Sequence, residues 1–443
     1  MSTTAAELLH LIDRREGTVG VIGLGYVGLP LAAACAGAGF PTLGFDVDPG
    51  KVKRLNAGDS YIDAVPASRL GELLANGRFS ATADDGRLGE CDVVVICVPT
   101  PLSRNREPDL GFVESSARAI ARTLRAGQLV ILESTTYPGT TRELLIPVLE
   151  ESGLLAGRDF FVGFSPERED PGNAKFGTTS IPKVVAGEGP EGARLVEAFY
   201  SQVVDRVVTV SNSATAEAVK ITENIFRAVN IALVNELKQV FEAMDIDIWE
   251  VIDAAATKPF GYMPFYPGPG LGGHCIPIDP FYLSWKAREY GVATRFVELA
   301  GEINTAMPRL VVHRLAEALD RVSGVALSRA KVLVIGIAYK KNVSDMRESP
   351  SLVLLEMLEQ RGAETAYHDP HIPVIPPTRE HAAMAGRTSV ALGADMLAGF
   401  DCVLIATDHN GVDYDLIGRS ARLVVDTRNV MARHTPEAKV VKA

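Results

Sequence analysis

Residues 18–48 run TVGVIGLGYVGLPLAAACAGAGFPTLGFDVD. An apolar strand meets a turn built on Gly23, Gly25 and Gly28, an Ala-rich helix follows, and a second apolar strand ends at Asp46. Strand, G-x-G-x-x-G, helix and acid stand in the order of a dinucleotide-binding βαβ unit. The glycines permit a tight turn and bring a pyrophosphate close to the helix N-terminus, with Tyr26 and Val27 as the turn residues beside it. Asp46 lies 18 residues beyond Gly28, near where such an acid meets a ribose. A carboxylate there accepts from the 2′-hydroxyl and repels a 2′-phosphate, so NAD is expected rather than NADP. Lys51 either reaches the adenosine end or is a solvated helix residue. The alternative for the whole turn is a doubly wound sheet without a cofactor.

Further strands extend this unit. CDVVVICVPTP (91–101), GQLVILESTTYPGTT (127–141) and DFFVGFSPERED (159–170) each read as a buried parallel strand with a polar exit. Ligands of open parallel sheets sit at the carboxyl ends of strands. Thr100, Thr135, Glu167 and Arg168 therefore stand where cofactor or substrate would be met, helix capping being the plain alternative for the threonines.

The 443 residues, 47% of them apolar, suffice for two or three domains with sizeable cores. A net charge of -11 argues against general nucleic-acid binding and leaves room for a local basic pocket. No apolar run reaches the roughly 18 residues of a membrane span, and the first residues lack the apolar core and cleavage site of a secretory signal. Five cysteines (35, 91, 97, 275 and 402) show no paired spacing, which points to a reduced, cytoplasmic setting and to no metal. Four of them lie in or beside apolar helix and strand patterns and read as small buried side chains. Cys275 does not.

SATAEAVKITENIFRAVNIALVNELKQVFEAMDI (213–246) reads as one long helix, apolar at Val219, Ile225, Phe226, Val229, Leu233, Leu237 and Phe241. Lys220 and Asn224 are four apart and share a face. That face is solvated on an ordinary surface helix and turned to a ligand on one that links domains. After residue 325 the chain starts again. AKVLVIGIAYK (330–340), ETAYHDP (364–370) and DCVLIATDH (401–409) echo the first, second and third strand segments. KKNVSDMRESP (340–350) replaces the phosphate turn and carries Lys340, Lys341 and Arg347, suited to a diphosphate or to solvent. The expected class is α/β: two doubly wound, Rossmann-like domains joined by a long central helix and a helical middle domain. The expected bounds are 1–211 for the NAD-binding domain, 212–322 for the central domain with the cysteine loop, and 323–443 for the C-terminal domain.

PGPGLGGHCIPIDP (267–280) sets Cys275 in a stiff loop of glycine and proline. Oxidising an alcohol to an aldehyde needs no nucleophile, but carrying it on to an acid can use one. An aldehyde added to a thiol is a thiohemiacetal; loss of a second hydride gives a thioester, which water hydrolyses. A helix starting near Asp279 would favour the thiolate, and Asp279 itself is suited to accept a proton or hold a water. The competing reading has Cys275 filling space and His274 as a structural neighbour, one His beside one Cys being poor ground for a metal site. Two rivals stand beside the four-electron dehydrogenase. One is a two-electron hydroxyacid or sugar-acid dehydrogenase, which has no use for Cys275. The other is a non-catalytic nucleotide-sugar-binding protein, in which position 275, 220 or 279 would be inert.

GxGYVGLP at 23–30, VPTP at 98–101, EST at 133–135, SPER at 165–168, EAVKITEN at 217–224, GGHCIPIDP at 272–280 and KNVSDMRESP at 341–350 resemble the UDP-sugar 6-dehydrogenases, in order and over about residues 17–430. PEREDPGN (166–173) and FYPGPGLGGHCIPIDPFYLSWKAREYG (265–291) are most similar to the UDP-N-acetylglucosamine 6-dehydrogenase branch, which serves bacterial surface polysaccharides such as O-antigen. The resemblance implies oxidation of the C6 hydroxymethyl of a UDP-sugar to the uronic acid at the expense of two NAD. It implies Cys275 as nucleophile, Lys220 and Asn224 stabilising oxyanion charge, Asp279 and Thr135 holding a proton-shuttling water, and Glu167 assisting thioester hydrolysis. Lys340 and Arg428 would meet the substrate together with Glu167, Arg168, Lys220 and Asn224. Tyr266, Gly270 and Gly272 would line the sugar or uracil pocket, and Arg347 would approach the cofactor. A homodimer or higher homo-oligomer built on the long helix is implied, with neither nucleic acid nor membrane as partner. UDP-N-acetylgalactosamine, UDP-N-acetylmannosamine and UDP-glucose stand as alternative substrates.

Overall fold

The computed structural model describes residues 2–103, 107–168, 177–273, 276–378 and 381–443. The chain forms two compact units, Met1–Glu223 with Phe281–Ala293, and Asn224–Pro280 with Thr294–Ala443.

The first unit is built on β1 (Val19–Ile22), β2 (Thr42–Phe45), β3 (Phe79–Thr82), β4 (Val93–Ile96), β5 (Leu129–Leu132), β6 (Phe161–Phe164), β7 (Lys183–Gly187) and β8 (Val207–Thr209). Their order is β3-β2-β1-β4-β5-β6-β7-β8; β1–β6 are parallel, and β7 pairs antiparallel with β6 and parallel with β8, so the last two strands run the other way. Ile22 pairs with both Phe45 and Ile96, so β1, β2 and β4 end at one level. The chain order reverses between β1 and β4, the position at which such sheets bind ligands. VVVI, LVIL and FVGF are buried along their whole length, as strands covered on both faces must be. The helices Thr3–Arg14, Gly28–Ala38 and Gly189–Val203 close one face; Gly111–Ala121 and Ile146–Glu150 close the other. Each fully buried Leu, Ile or Phe in these layers contributes about 1.5–3 kcal/mol.

The second unit repeats the plan with β9 (Lys331–Ile335), β10 (Glu364–His368), β11 (Cys402–Ile405), β12 (Leu423–Asp426) and β13 (Lys439–Lys442), all parallel, in the order β10-β9-β11-β12-β13. The repeat extends to individual hydrogen bonds. Asp46, after β2, accepts from the Leu24 amide at 3.1 Å. Asp369, after β10, accepts from the Ile337 and Ala338 amides at 2.7 and 3.0 Å. Asp369 also takes the His371 and Ile372 amides and His409 Nε2. Burial pushes its carboxyl up, but His409 and these amides outweigh burial and hold it below its ordinary value.

One helix, Ser213–Ala243, begins in the first unit and ends in the second. Its apolar periodicity predicts an apolar inner face. Ala216, Ile221, Ala228, Ala232 and Val234 are buried as that predicts, but so are the polar Glu217, Lys220, Asn224, Asn235 and Lys238. Phe226 and Leu233, two of the periodic apolar residues, point outward and with Val240 form a stripe at seven-residue spacing, each 47–49% exposed.

Lys238 illustrates what an inward cation costs. Its ammonium lies 5.6 Å from the centre of the Trp249 ring. Burial pushes it down from 10.5 to about 8, against the pull of Glu242 and Asp426. The unfolded chain keeps the proton up to its ordinary value while the fold gives it up near 8, so stability rises with pH between the two. Lys238→Met is therefore expected to stabilise the protein at pH 7 by about 2 kcal/mol, the gain fading between pH 8 and 10.5. Thermal unfolding over that range checks it; an unstable variant at pH 7 would show that contact with Trp249 outweighs the desolvation.

Candidate active site

The carboxyl edge of the first sheet fits a dinucleotide. Gly23 has φ 90°, which favours glycine, and a Cβ at Gly28 would run into the Gly23 carbonyl. The helix Gly28–Ala38 starts directly at this turn, aiming its N-terminus at the place of a pyrophosphate. Asp46, its side chain 7% exposed, stands at the end of β2 with Lys51 at 3.4 Å. Thr100, after β4, is buried. Thr135 follows β5 and is partly buried, while its neighbour Ser134 accepts from the Val98 amide at 2.9 Å and donates to the Val98 carbonyl at 2.8 Å, tying the two strand ends together.

Glu167 leaves the end of β6, and its Oε2 lies 3.2 Å from Lys220 Nζ; both side chains are nearly inaccessible. Arg168 donates to the Pro182 carbonyl and to Glu223, each at 2.6 Å. One turn before Lys220, Glu217 accepts from the Gly139 amide (2.5 Å), the Thr141 amide (2.9 Å) and the Thr141 hydroxyl (2.7 Å). Burial pushes the Glu217 carboxyl up in spite of these donors. Glu217 fastens the loop that follows Thr135 to the helix that carries Lys220. The segment Phe281–Ala293 also packs in this unit. Tyr282 donates to the Thr100 carbonyl at 3.0 Å, Trp285 lies 5.1 Å from Tyr137, and buried Lys286 reaches Glu143 at 2.6 Å.

In the second unit Asn224, one turn beyond Lys220 on the long helix, donates to Asp279 Oδ2 at 2.6 Å, and both are buried. Asp279 opens the helix Asp279–Glu289. The glycine-rich loop before it is held by an amide network. Asn235 accepts from the Gly268 amide at 3.1 Å and donates to Asn304 at 3.0 Å, while Asn304 donates to the Ala228 carbonyl at 3.0 Å. Gly270 packs against Pro308 and Pro350, Gly272 against Tyr339 and Pro350, and Gly268 against the Arg428 guanidinium. Arg428 also donates to the Ala406 carbonyl at 2.8 Å. Tyr266, half exposed, donates to Asp253 at 2.7 Å. Arg347 forms a forked pair with Asp345, at 2.7 Å through Nη2, and Lys340 is partly buried in the loop after β9. Cys275 and His274 lie outside the described residues.

The structure thus brings Lys220 to Glu167 and Asn224 to Asp279, and it fastens Arg347 to a carboxylate of its own loop. Sequence reasoning missed Glu217, the Asn235–Asn304 network and the buried pair of Glu133 and Lys183, 2.8 Å apart. Glu133 was legible only as the first letter of EST. The other four cysteines are buried. Burial pushes the Cys91 thiol up to about 12 and those of Cys35, Cys97 and Cys402 further still. Among the described residues no three His, Cys, Asp or Glu side chains gather as a metal site, and no helix is long and apolar enough to cross a membrane.

A glycine turn and a nearly buried acid at the switch point of a doubly wound sheet, followed by a helix bearing buried Lys and Asn, fit one class: a nicotinamide-dependent dehydrogenase. Three family descriptions match the chain in succession. They are the UDP-glucose/GDP-mannose dehydrogenase family NAD binding domain at residues 17–204, its central domain at 214–306 and its UDP binding domain at 333–433. The chain is 36% identical over 394 residues, 88% of its length and 90% of the relative's, to a UDP-N-acetyl-D-glucosamine 6-dehydrogenase of Pseudomonas aeruginosa. A UDP-D-ManNAc dehydrogenase structure from Pyrococcus horikoshii superposes with a TM-score of 0.87 at 33% identity, covering 96% of this chain and 98% of that one. A UDP-glucose dehydrogenase structure from Pyrobaculum islandicum gives 0.84 at 31%, covering 96% and 97%. The chain belongs to the UDP-glucose/GDP-mannose dehydrogenase family. It is an NAD-dependent oxidoreductase acting on a UDP-sugar.

Proposed function

We propose that the protein oxidises the C6 hydroxymethyl of a UDP-N-acetylhexosamine, UDP-N-acetyl-D-glucosamine before the others, to the carboxylate through a covalent bond to Cys275. The observation that carries this reading is the pair of buried contacts one helical turn apart, Lys220 on Glu167 and Asn224 on Asp279. Bound NAD accepts one hydride in each of two oxidations. The water held by Asp279 and Thr135 takes the O6 proton, Lys220 stabilises the alkoxide, and departure of the first hydride from C6 leaves the aldehyde. The Cys275 thiolate adds to the aldehyde carbon as the carbonyl electron pair moves to oxygen, and Lys220 and Asn224 hold that oxyanion. Once the second hydride has left, the carbon is a thioester. A water adds to it with the assistance of Glu167, the water held by Asp279 and Thr135 carries off the proton, and the carbon–sulfur bond breaks to release the acid and the thiolate.

The remaining assignments follow the same reading. Residues 1–211 hold NAD, 212–322 carry the cysteine loop and the dimer contact, and 323–443 hold the UDP moiety. Lys340 and Arg428 meet the substrate with Arg168, Tyr266, Gly270 and Gly272 line its pocket, and Arg347 approaches the cofactor. We place the enzyme in the cytoplasm, in a pathway to surface polysaccharide. The sugar rests on the relatives, whose names differ in it. UDP-N-acetyl-D-glucosamine 6-dehydrogenases of Pseudomonas aeruginosa and Salmonella typhi are 36% and 32% identical, and a UDP-N-acetyl-D-mannosamine dehydrogenase is 34% identical.

The deciding experiment counts NADH released per sugar nucleotide consumed, on the UDP derivatives of N-acetylglucosamine, N-acetylgalactosamine, N-acetylmannosamine and glucose. Two NADH, with the first donor preferred, is the expected result. One NADH per sugar would discard the thioester route, and preference for another donor would move the substrate.

The stripe of Phe226, Leu233 and Val240 supports a homodimer built on the long helix, since apolar rows at seven-residue spacing bury against a second helix. Leu233→Asp is expected to halve the mass measured by light scattering at micromolar concentration. An unchanged mass would remove the stripe from the interface.

A further inference from the structure

A pocket in the first unit lies beside Glu167. Its lining includes Val27, Leu31, Glu133, Arg168 and Lys183. Glu133 follows the last residue of β5 and is 1% exposed; Lys183 opens β7 and is 8% exposed. Because β7 runs antiparallel to β6, with Phe164 opposite Ala186, the chain enters β7 at the edge where β6 ends. That inversion delivers a lysine to the carboxyl edge of the parallel strands β1–β6.

Lys183 Nζ lies 2.8 Å from Glu133 Oε1, and the Tyr200 hydroxyl donates to the same oxygen. Among the described residues no donor is seated on Glu133 Oε2, and Lys183 has two further N–H groups to give. The pocket therefore offers a charged acceptor and a charged donor side by side. A buried ion pair adds little stability over apolar residues of the same size, so stability gives no reason for its presence.

We propose that Glu133 and Lys183 read the carboxamide of the NAD nicotinamide, Glu133 Oε2 accepting from its NH2 and Lys183 donating to its C=O. A primary carboxamide carries one donor and one acceptor on a single planar group, the complement of this pair. The dinucleotide enters at Asp46, crosses the switch point at the Gly28 helix, and so brings its nicotinamide half toward the ends of β4, β5 and β6. Val27 belongs to the turn at that crossing and also lines the pocket. With the carboxamide fixed, only one face of the ring is turned toward Glu167. The inference rests on NAD as the cofactor.

The test is calorimetric binding of NAD, of its 3-acetylpyridine analogue, in which a methyl replaces the NH2, and of ADP-ribose, which lacks the ring. The unsubstituted protein is expected to bind NAD about tenfold or more tighter than the analogue. In Glu133→Met/Lys183→Met that ratio falls to within about twofold, with ADP-ribose affinity unchanged. Because the ratio is taken within one protein, damage elsewhere cancels. If the double variant does not fold, Glu133→Gln is read in the same way, with a fall of at least about threefold expected from loss of the charged acceptor. A ratio near one in the unsubstituted protein, or an unchanged ratio in the variant that folds, overturns the proposal. Binding of none of the three refutes the cofactor reading, and the proposal with it.

Discussion

Replacing Cys275 by alanine is expected to lower uronic acid formation on the order of 10^4-fold or more, in line with loss of a covalent nucleophile. The first oxidation needs no thiol, so a trace of aldehyde and up to one NADH per sugar would survive. Acid and NADH measured in the same quenched samples separate the two steps. Acid formation within about tenfold of the unsubstituted enzyme would discard the covalent path. No other described thiol can stand in, because Cys35, Cys91, Cys97 and Cys402 are all buried and their thiols are pushed up by burial, whereas the reactive form is the thiolate.

Lys220→Met is expected to lower kcat by about 10^2–10^3-fold, the usual effect of removing one preorganised stabiliser of a developing oxyanion. It also leaves Glu167 buried without its cation, which costs about 3 kcal/mol of stability. Those two effects can be separated. The double variant Lys220→Met/Glu167→Gln should recover the melting temperature and should not recover the rate. Recovery of both would reduce Lys220 to a structural partner of Glu167.

The parts of this molecule written in short range were legible, and those written in long range were not. Gly23, Gly28 and Asp46 announce themselves because one βαβ unit fixes their spacing. Lys220 and Asn224 were visible as a pair because helical geometry puts residues four apart on one face. Their partners were not, since Glu167 is 53 residues from Lys220 and Asp279 is 55 from Asn224. Asn235 and Asn304 look like ordinary polar positions of two amphipathic helices until the loop amide at Gly268 completes their network. The direction of β7 was equally hidden. KVVAG has the composition of its parallel neighbours, and only the pairing with β6 shows that the chain has turned back. Phe226 and Leu233 misled in the other direction, since helical periodicity reports an apolar face without saying whether a core or a second chain covers it.

The carboxylate of Asp369 has a kinetic consequence. Its bonds to Ile337 and Ala338, with the Tyr339 amide given to the Asp345 carbonyl, leave the turn after β9 with those three amides already engaged. The second copy of the fold repeats the parallel strand plan and matches a UDP binding domain, where the first matches the NAD binding domain. On the route proposed above, two NAD are served by the one seat in the first unit, so the first NADH leaves and a fresh NAD arrives while the sugar is half oxidised. During that exchange a free aldehyde would escape into solution, and a sugar bound to sulfur does not. The order of events follows: NADH appears in solution before any acid does, and the enzyme pauses between its two oxidations for as long as fresh NAD is withheld.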